Sequence, residues 1–415
     1  MGEKGKKKLF SSTRSRPTGR CTTGRETSMK TAILGTVVSV LTALAAVGQA
    51  SADEKPILIG LIAGTTGAYG STGVAVVNGA QLAVDKINAA GGVMGRQLKL
   101  DAHNDNASAT LSGQLFAKLV SDGAVAIAGS PDTGPTTAEL AIRHKIPTIG
   151  VVDDGGLTVY KDGPTGKPNP WVFDFGLNTF AWGEKIGEYA LKHCPDGLAV
   201  LHDPSTYGEG GNFGIKLAYD KAGKKVAYEE KITENWSTGA TAALMPQATA
   251  IKDKGIKCVD AWLTPQDQAA FVQDLHSLGY EATVFGNDET ASDDTYSKLA
   301  GDLANGTITA ALTSGLHPND ELKAFRDEYK AKFNVESTPF AETSYDSIMM
   351  LKQVIENAKS TDAKALQAEF NKTSGFKGIS GTLGFTEQEH ITITADQLTL
   401  IKYDAASKSW VEVTD

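Results

Sequence analysis

The chain carries the same order of sequence features twice, once in each half. An apolar run, Ile57–Ala63, leads into Tyr69-Gly70-Ser71-Thr72-Gly73 and then into a helical pattern. In the second half, the apolar run at residues 198–201 leads into Tyr207-Gly208-Glu209-Gly210-Gly211 and another helical pattern. Each half then continues with two more apolar runs, each followed by a polar loop. This order is typical of a parallel β-sheet with crossover helices, so the sequence predicts an α/β protein with two lobes.

The later apolar runs of the two halves correspond in order. Residues 125–129 answer to residues 258–262, and residues 147–152 answer to residues 283–286. Apolar side chains at helical spacing predict helices between these runs. The predicted helices lie at 73–90, 111–122, 136–144, 180–193, 211–221, 242–254 and 266–278, followed by 321–333 and 343–358.

Chain length also favours two lobes, because 415 residues exceed what one hydrophobic core usually supports. Residues 171–177 connect the first half to the second, residues 306–316 carry the chain back, and a third crossing is expected near residues 381–386. Several connectors of this kind form a hinge that lets two lobes close about a ligand. We therefore predict a first lobe of residues 53–177 plus 312–385 and a second lobe of residues 178–311 plus 386–415.

The region before Asp53 has the parts of a secretory signal peptide. Lys30 precedes an uncharged stretch with an apolar centre at residues 32–47, and Ala50-Ser51-Ala52 closes it as an A-x-A cleavage site. A transmembrane anchor is the competing interpretation. The apolar centre is short, however, and acidic residues follow it at once. We predict that residues 29–52 are a signal peptide cleaved after Ala52.

Residues 1–28 form a basic extension that we expect to be absent from the mature protein, with Met29 as the true start. Residues 1–52 hold nine of the 40 basic and two of the 49 acidic residues, so 31 basic and 47 acidic residues remain, a net charge of −16. This balance argues against nucleic acid or an anionic membrane as a partner. No Cys follows the cleavage site directly, so we expect a soluble periplasmic protein without a lipid anchor.

Two cysteines, Cys194 and Cys258, remain in the mature chain, and each lies just before or at the start of an apolar run. If those runs are neighbouring strands, the two thiols meet at one edge of the sheet and can form a disulfide. Two free buried thiols are the alternative. A metal site is not expected, because neither Cys has a second Cys or a His at ligand spacing.

Searches for catalytic and cofactor motifs give nothing specific. The glycines at 64, 67, 70 and 73 do not match the dinucleotide fingerprint, and the seven His residues form no metalloprotease motif. We therefore predict no catalytic residues, no metal and no cofactor.

In an open parallel sheet, ligands bind beyond the carboxyl ends of the strands. This rule selects three loops in each half, at 64–69, 130–133 and 153–156 and then at 203–207, 262–265 and 287–290. Tyr, Trp, Ser, Thr, Asp and Glu are concentrated there, which is the usual content of a small-molecule pocket.

Three segments carry a family resemblance. They are Tyr69-Gly70-x-x-Gly73 followed by a helix and Gly91-Gly92, the stretch from His202-Asp203 to Tyr207-Gly208-Glu209-Gly210, and Phe285-Gly286-Asn287-Asp288-Glu289. In order and spacing the chain resembles the periplasmic leucine/isoleucine/valine-type binding proteins of ABC transporters over nearly the whole mature length. The resemblance implies a type I periplasmic binding protein fold, in which two α/β lobes close on a small solute and present it to a membrane permease. It also implies a monomer.

The resemblance further implies which residues contact the ligand. In amino-acid-binding members, a Tyr in the Tyr-Gly-Glu-Gly motif and an acid after the Phe-Gly strand contact the ligand, and the acid pairs with the ammonium. These positions fall on Tyr207 and on Asp288, with Glu289 as the alternative acid. The first-lobe loop after residue 129 usually binds the ligand carboxylate, which selects Ser130, Asp132 and Thr133.

One departure from the family pattern bears on the ligand. Amino-acid binders usually carry small or hydroxyl residues where this chain has Asp153-Asp154. A carboxylate pair there would repel a ligand carboxylate, so a cationic, amide-bearing or hydroxylated ligand becomes credible. The alternative is that Asp153 or Asp154 caps the following segment. Aromatic walls from Tyr69, Trp182 and Trp262 would suit a ring or a flat group.

Three functions are compatible with these features. The first is a transport receptor that captures an amino acid or a related amine, amide or aromatic compound for an inner-membrane ABC permease. The second is a periplasmic sensor that hands its liganded form to a signalling receptor. The third is a periplasmic hydrolase that uses Asp153, Asp154 or Asp288 as acid or base, which turnover of bound ligand would reveal.

Overall fold

The computed structural model describes residues 55–66, 70–129, 134–151, 158–160, 166–233, 241–292 and 294–414, with the backbone alone at 134 and 135. The basic extension and the predicted signal peptide lie outside these ranges. Several predicted ligand residues also lie outside the described residues: Tyr69, Ser130, Asp132, Thr133, Asp153 and Asp154.

The first lobe is built on a five-stranded sheet in the order β2-β1-β3-β4-β5, with all neighbouring strands parallel. Its strands are β1 (Ile57–Ala63), β2 (Leu98–Asn104), β3 (Ala126–Gly129), β4 (Thr148–Gly150) and β5 (Val172–Asp174). The central strands β1 and β3 are apolar on both faces because helices cover both sides of the sheet.

Helices α1 (Gly70–Ala89) and α11 (Pro339–Ala358) pack on one face of this sheet, and α2 (Ala109–Ser121) and α3 (Gly134–His144) lie on the other. The remaining elements of this lobe come late in the chain. They are α9 (Thr313–Leu316), α10 (Asp320–Phe333), α12 (Ala363–Phe370) and the hairpin of β11 (Phe376–Lys377) and β12 (Thr382–Leu383).

The second lobe is built on a seven-stranded sheet in the order β14-β13-β10-β9-β8-β6-β7. Its strands are β6 (Leu198–His202), β7 (Tyr228–Lys231), β8 (Cys258–Trp262), β9 (Thr283–Phe285), β10 (Ile308–Leu312), β13 (Leu398–Asp404) and β14 (Ser409–Glu412). β13 and β14 are antiparallel to their neighbours, and the other pairs are parallel. β13 and β14 thus form one edge of this sheet.

Helices cover both faces of the second sheet as well. α4 (Thr179–His193) and α5 (Thr206–Lys221) share one core cluster with it, and α6 (Met245–Asp253) and α7 (Pro265–Ser277) share the other. A short helix α8 (Thr295–Ala300) and 3₁₀ helices at Asp288–Ala291, Gly301–Ala304 and Ala395–Gln397 complete the described elements.

Glycines at the start of α1 and α5 permit close approach of a helix to the loop or ring beside it. A Cβ on Gly73 would lie 2.1 Å from the carbonyl oxygen of Gly64, and one on Gly211 would lie 2.0 Å from the ring of Trp262. The helices therefore begin at Gly70 and Thr206, before the predicted starts at 73 and 211. The repeated glycine pattern marks tight packing of a helix N-terminus, not a loop before the helix.

The lobes are joined by crossing segments that bond to one another. The backbone N–H of Asp174 donates to His390 O at 2.8 Å, and that of Thr392 donates to Asp174 O at 3.1 Å. A further crossing follows β10, where the Ser314 hydroxyl donates to Ser380 O at 2.7 Å. The fold is thus the two-lobed type I architecture with a multi-segment hinge. The predicted lobe boundaries remain a prediction.

Cys194 ends α4 and Cys258 begins β8, and the structure joins them in a disulfide with their Cα atoms 5.9 Å apart. β6 and β8 are neighbours with Leu198 opposite Cys258, which is the arrangement the sequence argument required. The bond ties α4 to the centre of the second sheet.

Candidate functional site

The carboxyl ends of β6, β8 and β9 bring together the second-lobe residues that the sequence selected. The Tyr207 hydroxyl donates a hydrogen bond of 2.5 Å to Asp288 Oδ1. The Tyr207 ring lies 5.8 Å from the Trp262 ring, tilted by 58°. Glu289 follows Asp288 in the same 3₁₀ helix and is half-buried. A phenol and two carboxyl groups therefore meet at one edge of the sheet.

Tyr207 is placed by the start of α5. Ser205 caps this helix by accepting a hydrogen bond from the Gly208 N–H at 3.2 Å. Asp203 in turn holds Ser205, because its Oδ1 accepts from the Ser205 backbone N–H at 2.8 Å and from the Ser205 hydroxyl. The loop from β6 to α5 is thus fixed by its own side chains, and Tyr207 leaves it in the first helical turn.

Trp262 supports Tyr207 from below. It ends β8 opposite His202 and is fully buried. Its ring occupies the space that the missing side chain of Gly211 leaves on α5. Among the described residues, Trp262 Nε1 has no hydrogen-bond acceptor. The Trp262 ring therefore packs against the Tyr207 ring and has no exposed surface.

Asp288 lies in a turn whose backbone is held by buried polar side chains. We call the 3₁₀ helix Asp288–Ala291 the acidic turn. Asn287 caps it by accepting from the Thr290 N–H at 3.2 Å, and the Asn287 amide donates to Leu263 O at 2.8 Å. Thr309 on β10 donates to Asn287 O at 2.6 Å. The acidic turn is therefore tied to the loops and strands on both sides of it.

Burial controls the protonation of these groups. Desolvation raises the pKa of Asp288 to about 6, although the Tyr207 hydroxyl and backbone N–H groups favour the charged form. Desolvation also raises the pKa of Asp203 to about 6. The pKa of Tyr207 lies well above its ordinary value because of burial and the nearby carboxylates. Within the described ranges, no Lys or Arg forms an ion pair with Asp288 or Asp203.

This arrangement is suited to a cationic group with several N–H donors. A charged Asp288 accepts hydrogen bonds only, and the oxygen of Tyr207 can accept one while its hydrogen is held by Asp288. An ammonium placed here would pair with the Asp288 carboxylate and offset the free-energy cost of burying that charge. The described part of the chain contains no cluster of His, Cys, Asp or Glu that could hold a metal ion.

Trp182 does not join this group. It lies in α4 with 2% of its surface exposed, and its Nε1 donates to Ala310 O in the middle of β10 at 2.9 Å. The indole therefore packs α4 against the sheet, and its role as an aromatic wall for the ligand remains a prediction. The six other ligand residues predicted from sequence lie outside the described residues, so their roles remain predictions.

Sequence reasoning missed the polar residues that hold the acidic turn. Gln268, Thr290 and Thr309 are each at most 1% exposed and take part in hydrogen bonds around Asn287. One signal was present: Asn287 with Thr290 three positions later is the pattern of an N-cap at a helix start. Gln268, 22 residues before Thr290 and on another helix, gave no signal.

Sequence comparison places these features in a known family. The profile described as periplasmic binding protein matches residues 56–407. A Leu/Ile/Val-binding protein homolog from Brucella melitensis is 29% identical over 356 residues, 83% of this chain and 90% of the relative. A leucine-, isoleucine-, valine-, threonine- and alanine-binding protein from Pseudomonas aeruginosa is 26% identical over 351 residues, 83% of this chain and 88% of the relative.

Solved structures share the fold and differ in ligand. A branched-chain amino acid transporter substrate-binding protein from Streptococcus pneumoniae, in complex with isoleucine, has a TM-score of 0.69 at 20% identity and covers 87% of this chain and all of its own, 100%. A solute-binding protein of an ABC transporter from Rhodopseudomonas palustris, in complex with 3,4-dihydroxybenzoic acid, has a TM-score of 0.71 at 21% identity and covers 87% and 97%.

These likenesses agree with the two-lobed α/β fold. No helix in the described ranges combines the length and apolar character needed to cross a bilayer. The family is one of substrate-binding proteins, and its name implies the periplasm. The chain therefore belongs to the periplasmic binding protein family and is similar to relatives named as leucine/isoleucine/valine-binding proteins.

Proposed function

We propose that this protein is the soluble receptor of an ABC importer, which captures a small amine-bearing solute between its lobes and delivers it to an inner-membrane permease. The observation that carries the proposal is the hydrogen bond between the half-buried Tyr207 and the buried Asp288. A buried carboxyl group whose main described partner is a phenol is costly without a ligand, and an ammonium would offset that cost.

The mature protein of this proposal starts at Asp53, after cleavage of the signal peptide at Ala52, and works as a monomer in the periplasm. Affinity comes from closure of the lobes and desolvation of the ligand, without turnover. Recovery of every ligand molecule unchanged after binding supports this, and conversion of the ligand would make the protein an enzyme.

The first lobe would supply the remaining contacts. In the sequence, Ser130, Asp132 and Thr133 come directly after β3 and Tyr69 comes between β1 and α1, and ligands of open parallel sheets bind beyond the carboxyl ends of the strands. Asp153 and Asp154 follow β4. If they face the ligand, they select amines, amides or hydroxyl groups. If they cap the next segment, a neutral amino acid with a free carboxylate is accepted, as the names of the curated relatives suggest.

The test is a thermal-shift and calorimetric screen of residues 53–415. The probes are L-leucine, L-isoleucine and L-valine, then L-lysine, L-glutamine and putrescine, then benzoate and 3,4-dihydroxybenzoate as compounds without an amine. A ligand at one hundred times its dissociation constant adds about 2.7 kcal/mol to stability, which gives a measurable rise in melting temperature.

Asp288→Asn is the site variant, and Asp302→Asn on the exposed surface of the same lobe is the matched control. An amine-bearing probe should bind about 2–4 kcal/mol more weakly to Asp288→Asn, because the ammonium would be buried without its charge partner. The control should bind as the parent does. Binding confined to the two benzoates, or equal affinity of Asp288→Asn and the parent for an amine, would refute the amine assignment.

A further inference from the structure

The acidic turn is also held in place by a side chain of helix α7. Gln268 in α7 accepts a hydrogen bond from the Thr290 hydroxyl at 2.7 Å and donates from its Nε2 to Leu263 O at 2.9 Å. The side-chain amide of Gln268 thus uses its oxygen toward the acidic turn and its nitrogen toward the loop after β8. Gln268 is 1% exposed and Thr290 is fully buried.

We propose that Gln268 and Thr290 are positioning residues that set the orientation of Asp288 toward the ligand. The proposal rests on the proposed function in one respect only, that Asp288 is the ligand's charge partner. Neither residue touches Tyr207 or the expected ligand position through any described hydrogen bond. Their effect passes through the backbone of the acidic turn, because Gln268 bonds to Thr290 and Thr290 bonds to Asn287.

Three features of the turn agree with this role. The Thr290 N–H donates to Asn287 Oδ1 at 3.2 Å, and the Thr290 hydroxyl, whose hydrogen goes to Gln268, also lies 3.1 Å from that oxygen, so the residues before and after Asp288–Glu289 are held together. Gly286 leaves room for the Thr290 hydroxyl, since a Cβ there would lie 2.2 Å from Thr290 Oγ1. Asn287 is also bonded to Leu263 O, the same carbonyl that Gln268 uses.

Buried, fully paired networks of this kind fix one geometry, because any rotation leaves a donor or acceptor unpaired. Without Gln268, the Thr290 hydroxyl can donate only to Asn287. That hydrogen bond is weaker, because it is 3.1 Å long instead of 2.7 Å. Loss of either partner should let the acidic turn move outward, and Asp288 with it.

The pKa of Asp288 reports this movement without any ligand. Burial is the main reason that this pKa stands at about 6, so a turn that moves outward lets it fall toward the ordinary value of an aspartate. The titratable groups beside Asp288 are Tyr207 from α5, Glu289 in the same turn and Asp203 at the end of β6. All three remain in the variants below.

The experiment is a titration of the Asp288 side-chain carboxyl by carbon-detected NMR in the full mature chain, with Asp288→Asn used to assign the signal. Thr290→Val removes the hydroxyl at constant shape, and Thr290→Ser keeps it. Gln268→Met tests the partner and leaves Thr290 with Asn287. Ser344→Ala, which deletes a buried hydroxyl that donates to Val76 O in the first lobe, controls for general destabilisation.

We expect the Asp288 pKa to fall by about one pH unit or more in Thr290→Val and Gln268→Met, and to stay within a few tenths in Thr290→Ser and Ser344→Ala. Stability that drops in Thr290→Val and Gln268→Met while Asp288 still titrates near its parent value would overturn the proposal, because the network would then be structural only. That outcome leaves the proposed transport function standing. Loss of amine binding in Asp288→Asn is judged separately.

Discussion

Asp260 is a fully buried carboxyl group without a hydrogen-bond partner among the described residues, and we predict from this how stability depends on pH. It lies in the middle of β8 with none of its surface exposed, between Val200 and Phe285 on the neighbouring strands. Neither carboxyl oxygen has a hydrogen-bond partner. Cys258 and Trp262 share its face of the sheet, which packs against α4 and α5. Burial therefore raises the pKa of Asp260 well above 3.8.

Two substitutions separate the costs of this group. Asp260→Asn keeps its shape and polarity and removes its titration. Asp260→Val removes the polar atoms as well and suits a buried strand. An unpaired buried polar group costs about 1–3 kcal/mol, so Asp260→Val should be more stable than Asp260→Asn by that amount at every pH.

The raised pKa of Asp260 also makes the free energy of unfolding depend on pH. Below pH 3.8 the carboxyl is protonated in both the folded and the unfolded state, so the raised pKa costs nothing. As pH rises, the unfolded state releases the proton and the folded state keeps it, so the parent loses stability relative to both variants. The loss is about 1.4 kcal/mol per pH unit while pH lies between the two pKa values, or about 2.7 kcal/mol from pH 5 to pH 7 if the folded group stays protonated.

The assay is urea unfolding of the parent and both variants at pH 4, 5, 6 and 7, under conditions that keep the disulfide intact. Both variants should gain on the parent as pH rises, with Asp260→Val the most stable at pH 7. A stability difference between Asp260→Asn and the parent that is the same at pH 4 and pH 7 would refute the reasoning, since Asp260 would then be no more protonated in the folded than in the unfolded state.

Three further predictions concern the disulfide and the site. Reduction of Cys194–Cys258, or replacement of both residues by Ser, should lower the free energy of unfolding by about 4 kcal/mol, because the bond closes a loop with a sequence separation of 64 residues. Urea unfolding with and without dithiothreitol measures this, and an unchanged midpoint would contradict it. The tryptophan fluorescence change on ligand binding should disappear in Trp262→Phe, whose ring adjoins Tyr207, and persist in Trp182→Phe, whose ring is bonded to Ala310; the reverse result would return Trp182 to the site. Binding of an amine-bearing probe should weaken as pH falls through about 6, up to tenfold per pH unit, because protonation removes the charge of Asp288; calorimetry at pH 5 and pH 7.5 checks this, with Asp288→Asn expected to show little dependence.

Central strands could be predicted from sequence, and two charged edge strands, β2 and β7, could not. The bounds of β1 and β8 agree with the apolar runs, because both strands are buried on both faces. β2 carries Lys99, Asp101 and His103 and lies at the edge of its sheet, and β7 is an edge strand of mostly charged residues. Neither forms an apolar run, so a search for such runs passes over them.

The site shows the same division between local and distant information. The sequence marked Tyr207 and Asp288 through motifs that are continuous in the chain. It could not mark Gln268, because the bond to Thr290 depends on how α7 lies over β9. The hydrogen bond from the Trp182 indole to Ala310 O in β10 was also not predictable, because nothing in α4 alone indicates it.

The order of segments along the chain has a consequence for synthesis. α1 is covered by α11, which ends at Ala358, and the second sheet gains its outer edge only when β14 is complete at Glu412. A chain that is still growing therefore keeps one face of its first sheet and one edge of its second uncovered until almost the last residue is made. Contacts this distant in sequence slow folding. Both lobes can therefore reach their final packing only after nearly the whole chain has been synthesised.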